Sequence, residues 1–548
     1  MAHADGQVNG GSRAPRVVYG LLAPVLVALG VFFVWPLAAI VGRGLLTAGP
    51  NPIAGLRAAG GVGLVWFTLW QAAASTLLTV VLGLPLAWLT ARADFRGQIV
   101  LRVLVMVPFV LPTVVVGVAF RTVFSDTGPL GFLHLSETVW AILVAHAYFN
   151  VSVVARIVGG VWARMDPRTE QAARTLGAGP VRAFVTAGLP VLLPAIASAA
   201  AVVFLYCATS FGIILIVGGT RFRTVETEIY QQVVGAFDLR TAAALALVQI
   251  VVVVAVVALG TVLRRRLAAQ PARWSADRRV RRTLRTWVAI VVAATVTAVL
   301  LVYPLLALVS RSLHPDPSAR LGLDAYRALG QAVVGVVPLK ALTMSLVTAL
   351  QASMIALVLG LLAAIAVTRL RGPLGRFADA VVMLPLGVSA VTLGFGYLVA
   401  LQVLPVAART STVWLPIVQG LVALPLVVRV IAPALGAVDD RLRQAAAVLG
   451  ASPVRVFVTV DLPTVLRPIT AAACFAFAVT LGEFGAASFL VRPDAMTLPV
   501  LIGQLMSRPG WANSATAAAC SVLLVAVTVV VVAAMESIRR DDPAQVEF

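Results

Sequence analysis

Lysine occurs once in 548 residues, at Lys340, and acidic side chains number 22 against 42 basic ones. A phosphate-cradling loop needs Gly-x4-Gly-Lys-Ser/Thr, because its lysine reaches the terminal phosphates. The lone lysine sits in VVPLKALT, which lacks that frame, so nucleotide hydrolysis by this chain is excluded. Histidine is nearly as scarce, with four copies, and only His146 falls inside an apolar run. No Ser-His-Asp set and no His/Cys/Asp cluster stands in a credible context, which leaves hydrolytic and metal chemistry without residues. His146 reads either as a hydrogen-bonded packing residue or as part of a solute pathway. Cys207, Cys474 and Cys520 all lie in apolar runs without paired spacing. Packing is their role, rather than a disulfide or a metal site.

Charge itself is sparse. Only 12% of residues are charged and 60% are hydrophobic, a balance outside soluble globular domains that points to a polytopic membrane protein. The net charge of +20 raises the idea of a nucleic-acid partner, but the arginines cluster in short loops between apolar runs. That is the pattern of positive charge retained on the cytoplasmic side, and no nucleic acid is expected.

Apolar runs long enough to cross a bilayer lie near 17–41, 66–90, 99–120, 138–158, 191–217, 241–263, 287–309, 342–368, 378–401, 412–432, 465–490 and 514–536. The fold expected is therefore all-α, with about twelve transmembrane helices. Residues 1–16 are polar and Gly-rich, and read as a disordered cytoplasmic N-terminus. The run behind Arg13 and Arg16 is too long for a signal-peptide core and reads as an uncleaved first span. The arginine-rich tract RRRLAAQPARWSADRRVRRTLR at 264–285 marks a basic cytoplasmic linker, 265–286, between halves at 17–264 and 287–538. Residues 539–548 form a short cytoplasmic tail.

The halves repeat one another. QAARTLGAGPVRAFVTAGLP at 171–190 returns as QAAAVLGASPVRVFVTVDLP at 444–463, with fourteen of twenty positions identical. MVP at 106–108 matches MLP at 383–385, Gly117 matches Gly394, TVW at 138–140 matches 412–414, and SFG at 210–212 matches EFG at 483–485. Two homologous six-span halves with the same orientation should be related by an axis along the membrane normal. With twelve spans, both termini, the linker and both repeated segments (loops 166–190 and 439–463) fall on the arginine-rich, cytoplasmic side.

In each repeated segment, Asp166-Pro167 or Asp439-Asp440 offers helix N-cap chemistry. A short helix follows with Ala172, Ala173 and Leu176, or Ala445, Ala446 and Leu449, on one side. Gly177 and Gly450 sit where a left-handed stop is needed. A second helix starts at Gly179-Pro180 and Ser452-Pro453, with Val181, Phe184 and Val185, or Val454, Phe457 and Val458, as its apolar face. One such helix alone reads as an interfacial segment resting on lipid. Two copies imply a partner with two equivalent sites.

These segments resemble the EAA motif of permease subunits in bacterial ATP-binding-cassette importers, and the resemblance spans essentially the whole chain. It implies a type I importer transmembrane fold and a non-catalytic subunit in the plasma (inner) membrane. It also implies two copies of an ATPase subunit that carry the ATP and Mg, and an extracytoplasmic solute-binding protein; no cofactor is bound by this chain. The ATPase-coupling residues are then Gln171, Ala172, Ala173, Gly177, Leu189 and Pro190, with Gln444, Ala445, Ala446, Gly450, Leu462 and Pro463. The motif's leading glutamate is replaced by Gln171 and Gln444, with Glu170 and Arg443 one position earlier.

For the pathway, Glu483 stands out as an acid deep in an apolar run, either facing a cationic cargo or making a structural hydrogen bond. Its repeat partner is Ser210, and Phe211 and Phe484 accompany the pair. Phe204, Tyr206, Phe475 and Phe477 lie near the same level and read first as packing. Arg156 and Arg429 are expected to end spans four and ten at the headgroups. The tracts at 142–158, 224–250 and 481–500 resemble the thiamine permease branch, which implies thiamine as cargo, with ferric iron as the alternative. An ion-coupled secondary transporter also fits twelve spans, but it would have no use for duplicated docking loops.

Overall fold

The computed structural model describes residues 16–47, 60–92, 98–166, 168–267, 284–314, 321–370 and 372–540. Most of the expected disordered N-terminus, basic linker and tail, together with Pro167, lies outside the described residues. Among the described residues, ten helices are long and apolar enough to cross a membrane: Val18–Arg43, Gly61–Arg92, Val139–Arg164, Pro180–Ala208, Leu239–Gly260, Ile290–Leu313, Pro338–Arg369, Trp414–Gly436, Pro453–Leu481 and Trp511–Met535. The expected third and ninth spans are not straight. Val100–Val110 meets Thr113–Phe124 at 102°, and Gly372–Gly387 meets Ala390–Val403 at 91°. Pro112 has no N–H to continue the first helix and has an extended ψ of 135°, so the chain turns there. In the second half Ser389 turns the chain, its hydroxyl accepting from Val391 N–H at 3.1 Å.

Two further expectations are corrected. The runs at 191–217 and 465–490 are each broken, with helices ending at Ala208 and Leu481 and short helices restarting at Gly212 and Ala487. Arg156 and Arg429 do not end their spans; those helices run on to Arg164 and Gly436.

Hydrogen bonds between helix ends fix the topology. Arg92 Nε donates to Trp162 O at 3.0 Å and its Nη2 to Met165 O. The helices 61–92 and 139–164 therefore end at the same face of the bundle and run in the same direction. The bent pair between them has to carry the chain back across, so it counts as one crossing. The second half repeats this: Arg369 at the end of 338–369 and Arg443 just beyond 414–436 share Asp461. The two halves are in register, because Val18 and Leu22 pack with Ala366, Leu370 and Ala378 at this same end. At the opposite end Arg43 meets Gln402, and Trp511 Nε1 donates to His314 O. Both repeated segments thus lie at one end of the molecule.

The packing repeats too. A Cβ on Gly83 would sit 2.6 Å from Val154, and one on Gly360 would sit 2.5 Å from Val427. Only glycine permits that backbone approach, which is how helices pack where apolar burial gives no drive. Val225 N–H donates to Thr68 Oγ1 at 3.1 Å, and Leu498 N–H to Ser345 Oγ at 2.7 Å. Each half also lends its first span to the other. Val25, Leu29 and Phe33 pack with Ala356, Leu393 and Tyr397, whose hydroxyl donates to Phe32 O. In return, Leu301 packs with Phe120 and Tyr148, and Tyr148 OH donates to its carbonyl at 3.0 Å.

This exchange predicts that the two halves hold together without their covalent link. Cutting the gene between Trp274 and Ser275 and co-expressing the fragments should give a complex that co-purifies in detergent. Either fragment alone should aggregate, because its partner's first span no longer covers it.

Candidate functional site: the duplicated loops and the cavity between the halves

Each duplicated loop is built around one left-handed glycine. Helix Arg168–Thr175 ends at Gly177 with φ +89°, and Asp440–Val448 ends just before Gly450 with φ +81°. Ala178 N–H reaches Ala173 O while Gly177 N–H reaches Arg174 O; Ala451 and Gly450 repeat this with Ala446 and Ala447. That paired 6→1 and 5→2 closure is the Schellman stop. No atom lies within 4 Å of where a Cβ would stand, so glycine is required here for its backbone angle alone. Asp166 and Asp439 accept from the N–H of Arg168 and Arg441, as N-caps do.

The Leu-Pro pairs have a local cause as well. Pro190 and Pro463 cannot donate to the preceding turn, and the backbone widens to π-helical turns at Phe184–Gly188 and Phe457–Asp461. Leu189 N–H then bonds Phe184 O and Leu462 N–H bonds Phe457 O.

The loops stand out from the bundle. Neither short helix has a buried residue; Gln171, Ala172, Gln444 and Ala445 are exposed, while Ala173 and Ala446 are half-buried. The second helix turns a different face inward from the one expected. Ala183 and Val456 are buried and Phe184 stacks on Trp162 at 5.4 Å, whereas Val181, Val185, Val454 and Val458 are exposed. With Leu176 at 89% and Leu449 at 87% exposure, each loop presents an apolar patch to its surroundings.

Beneath the patches the copies differ in charge. Asp461 is fully buried and takes Arg369 Nη2 and Arg443 Nε, each at 2.7 Å. Arg443 also donates to Asp440, Val438 O and Leu435 O. Partial burial alone would lower its pKa, but hydrogen bonds and charge from Asp461 and Asp440 hold it above the ordinary value. This cluster ties the loop to the ends of two spans. In the first copy the counterparts of Arg443 and Asp461 are Glu170 and Gly188. A Cβ on Gly188 would fall 2.5 Å from Glu170 Oε1, so the glycine makes room for the glutamate. The acid has changed sides between the copies.

A cavity of about 270 Å³ lies between the halves. Ser210, Phe211, Glu483 and Phe484 all border it. Phe211 and Phe484 are repeat partners and stack on one another, with centroids 5.0 Å apart and planes at 21°. Glu483 is engaged by the backbone: its carboxylate accepts from Ala486 N–H at 2.8 Å and Ala487 N–H at 3.1 Å, capping the short helix at 487. Sequence reasoning missed a second buried acid. Glu226, fully buried, accepts from Ser389 Oγ at 2.6 Å and Gln249 Nε2 at 2.8 Å. Its bond crosses from the first half to the bend of the second.

The model of the family described as binding-protein-dependent transport system inner membrane component matches residues 79–269 and again 356–541. The chain belongs to that family. The two matches cover both duplicated loops and most of both cavity walls. The thiamine transport system permease proteins ThiP of Brucella abortus (strain 2308) and Escherichia coli (strain K12) are each 27% identical to this membrane protein. Both alignments cover 80% of this chain; they take in 81% of the Brucella protein and 83% of the Escherichia one. The sulfate transport system permease protein CysT of Salmonella typhimurium is 34% identical over 169 residues, covering 30% of this chain and 61% of the relative.

The Asp461 cluster predicts an unequal pair of loops in this family member. Asp461→Ala leaves Arg369 and Arg443 facing a buried site and should cost about 3 kcal/mol, read as a lowered melting temperature in detergent. Arg443→Glu combined with Asp461→Gly copies the first loop's solution and should recover most of the loss.

Proposed function

We propose that this chain is the permease subunit of an ATP-binding-cassette importer. In this reading it forms the pathway for thiamine delivered by an extracytoplasmic binding protein. The observation that carries the proposal is the pair of exposed, equivalent loops at one end of the bundle, each rooted in the spans. A dimeric ATPase offers two equivalent clefts, and the apolar patches at Leu176 and Leu449 are its docking surface. ATP and Mg belong to those subunits, and this chain binds no cofactor of its own. The loop end is the cytoplasmic one in a bacterial plasma membrane, with both chain termini on that side; Arg164, Arg168, Arg174, Arg182, Arg376, Arg441 and Arg455 gather there, as the positive-inside bias favours.

In this reading Gln171 and Gln444 meet the ATPase by hydrogen bonds rather than by an ion pair. The stack of Phe211 on Phe484 joins the two halves at the cavity. Closing the ATPase dimer moves the loops, and the ties at Arg92 and at Asp461 pass that motion to the spans. Separating the halves then unstacks the two rings. Thiamine is supported by the aromatic lining of the cavity. Ferric iron fits that lining poorly, because Glu483, the one acid bordering it among the described residues, is already committed to backbone N–H groups.

Leu176→Asp together with Leu449→Asp should cut ATPase co-purification at least tenfold. The exposed positions make the effect on thermal stability of the permease small, within about 0.5 kcal/mol. Retained co-purification would count against docking. Proteoliposomes with the ATPase, binding protein and ATP should accumulate thiamine, uninhibited by excess ferric citrate.

A further inference from the structure

The cavity wall from the first half carries polar atoms that no protein group engages. His146 Nε2, Asn150 Oδ1 and Ser210 Oγ have no hydrogen-bond partner, although all three residues are at least nine-tenths buried. All three border the cavity. His146 and Asn150 are four residues apart on helix 139–164, so they share one face. The other side of each group is fixed: His146 Nδ1 meets Ser75 Oγ at 3.1 Å, and Asn150 Nδ2 donates to His146 O at 3.0 Å. That leaves the amide oxygen as a committed acceptor, beside a ring nitrogen and a hydroxyl. A buried polar group without a partner is destabilising, so three beside one cavity mark a place for a ligand.

The repeat supplies an internal control. In the register set by Gly83–Val154 and Gly360–Val427, Ser75 and Asn150 correspond to Ala352 and Ala423, and His146 to Gln419. Gln419 and Ala423, unlike their first-half counterparts, are not among the residues bordering the cavity. The second half therefore builds the same helix contact with alanines, so the fold does not require Asn150. The polar cradle belongs to one half only.

Around it the walls are flat and aromatic. Phe109 lies 5.7 Å from both Phe149 and Tyr206, ring to ring, and all three border the same space. The volume of about 270 Å³ is near the lower bound of small-ligand pockets, about 300 Å³. Aromatic faces also accept a positive charge without a carboxylate.

We infer that the His146–Asn150–Ser210 cradle is a cargo-binding site within the permease itself, specific for an amino-substituted heteroaromatic cation. The exocyclic amine donates to Asn150 Oδ1, the adjacent ring nitrogen bonds His146 Nε2, and the ring lies between the aromatic side chains. This inference rests on the proposed importer function and identifies where in that pathway the ring is recognised.

The test measures equilibrium binding of radiolabelled thiamine to the permease–ATPase complex in nanodiscs lacking the binding protein, beside uptake in proteoliposomes with it. Asn150→Ala, and Asn150→Ala with Ser210→Ala, should weaken binding about tenfold and raise the KM for uptake. Melting temperature and thiamine-independent ATP hydrolysis report whether each variant is assembled. Because Ala423 already occupies the matching position, Asn150→Ala should assemble. A wild-type complex that imports thiamine, with assembled variants that bind and import it unchanged, would overturn the cradle and leave the importer intact. A wild-type complex that imports no thiamine would overturn both.

Discussion

Two helices in each half run the same way through the bundle and are tied at one end by an arginine, and the rest of the architecture follows from those ties. Arg92 closes the first pair through two backbone carbonyls. Arg369 and Arg443 close the second through a carboxylate that is fully buried. Parallel neighbours force the intervening segment to cross back, which is why the bent third and ninth elements count as crossings. The same ties sit directly beneath the loops. A force applied to either loop acts on spans 139–164 and 414–436, which line the cavity.

The repeat is close in backbone and unequal in chemistry. Glycine contacts, backbone caps and the Phe211–Phe484 stack are shared between halves. Acids and amides are not: Glu483 stands where the first half has Ser210, Asp461 where it has Gly188, and Ala423 where it has Asn150. Shared positions are those where geometry allows few residues. Unshared ones gather at the cavity and under the loops, where a fused chain can specialise each half without symmetry constraining it. Glu226, reaching across to Ser389 at the bend of the other half, joins the two bodies in a way neither half could achieve with its own repeat partner, since Pro499 stands at the equivalent position.

Much of this was legible in the sequence, for definable reasons. Long apolar runs locate most spans, and the glycine and proline positions in the loops give the Schellman stops and the helix restart at Pro180 and Pro453. What periodicity could not show was the third dimension. Apolar runs at 99–120 and 378–401 look continuous, because a sharp turn at Pro112 or Ser389 leaves hydropathy unchanged. Val181 and Ala183 are both apolar, so spacing did not reveal that the smaller one packs inward while the larger stays exposed. Glu483 was visible as an acid in an apolar run, but its engagement by two backbone N–H groups depends on the break at Gly482. Glu226 was overlooked because its segment falls between runs long enough to be spans, although the folded chain buries it completely.

The account depends most on both loops facing the same compartment. With Cys207, Cys474 and Cys520 replaced, Thr175→Cys and Val448→Cys place single thiols at exposed positions in the two loops. A membrane-impermeant maleimide should label both in inside-out vesicles and neither in intact spheroplasts, with both protected when the ATPase is bound. Labelling of the two positions from opposite sides of the membrane would contradict the account.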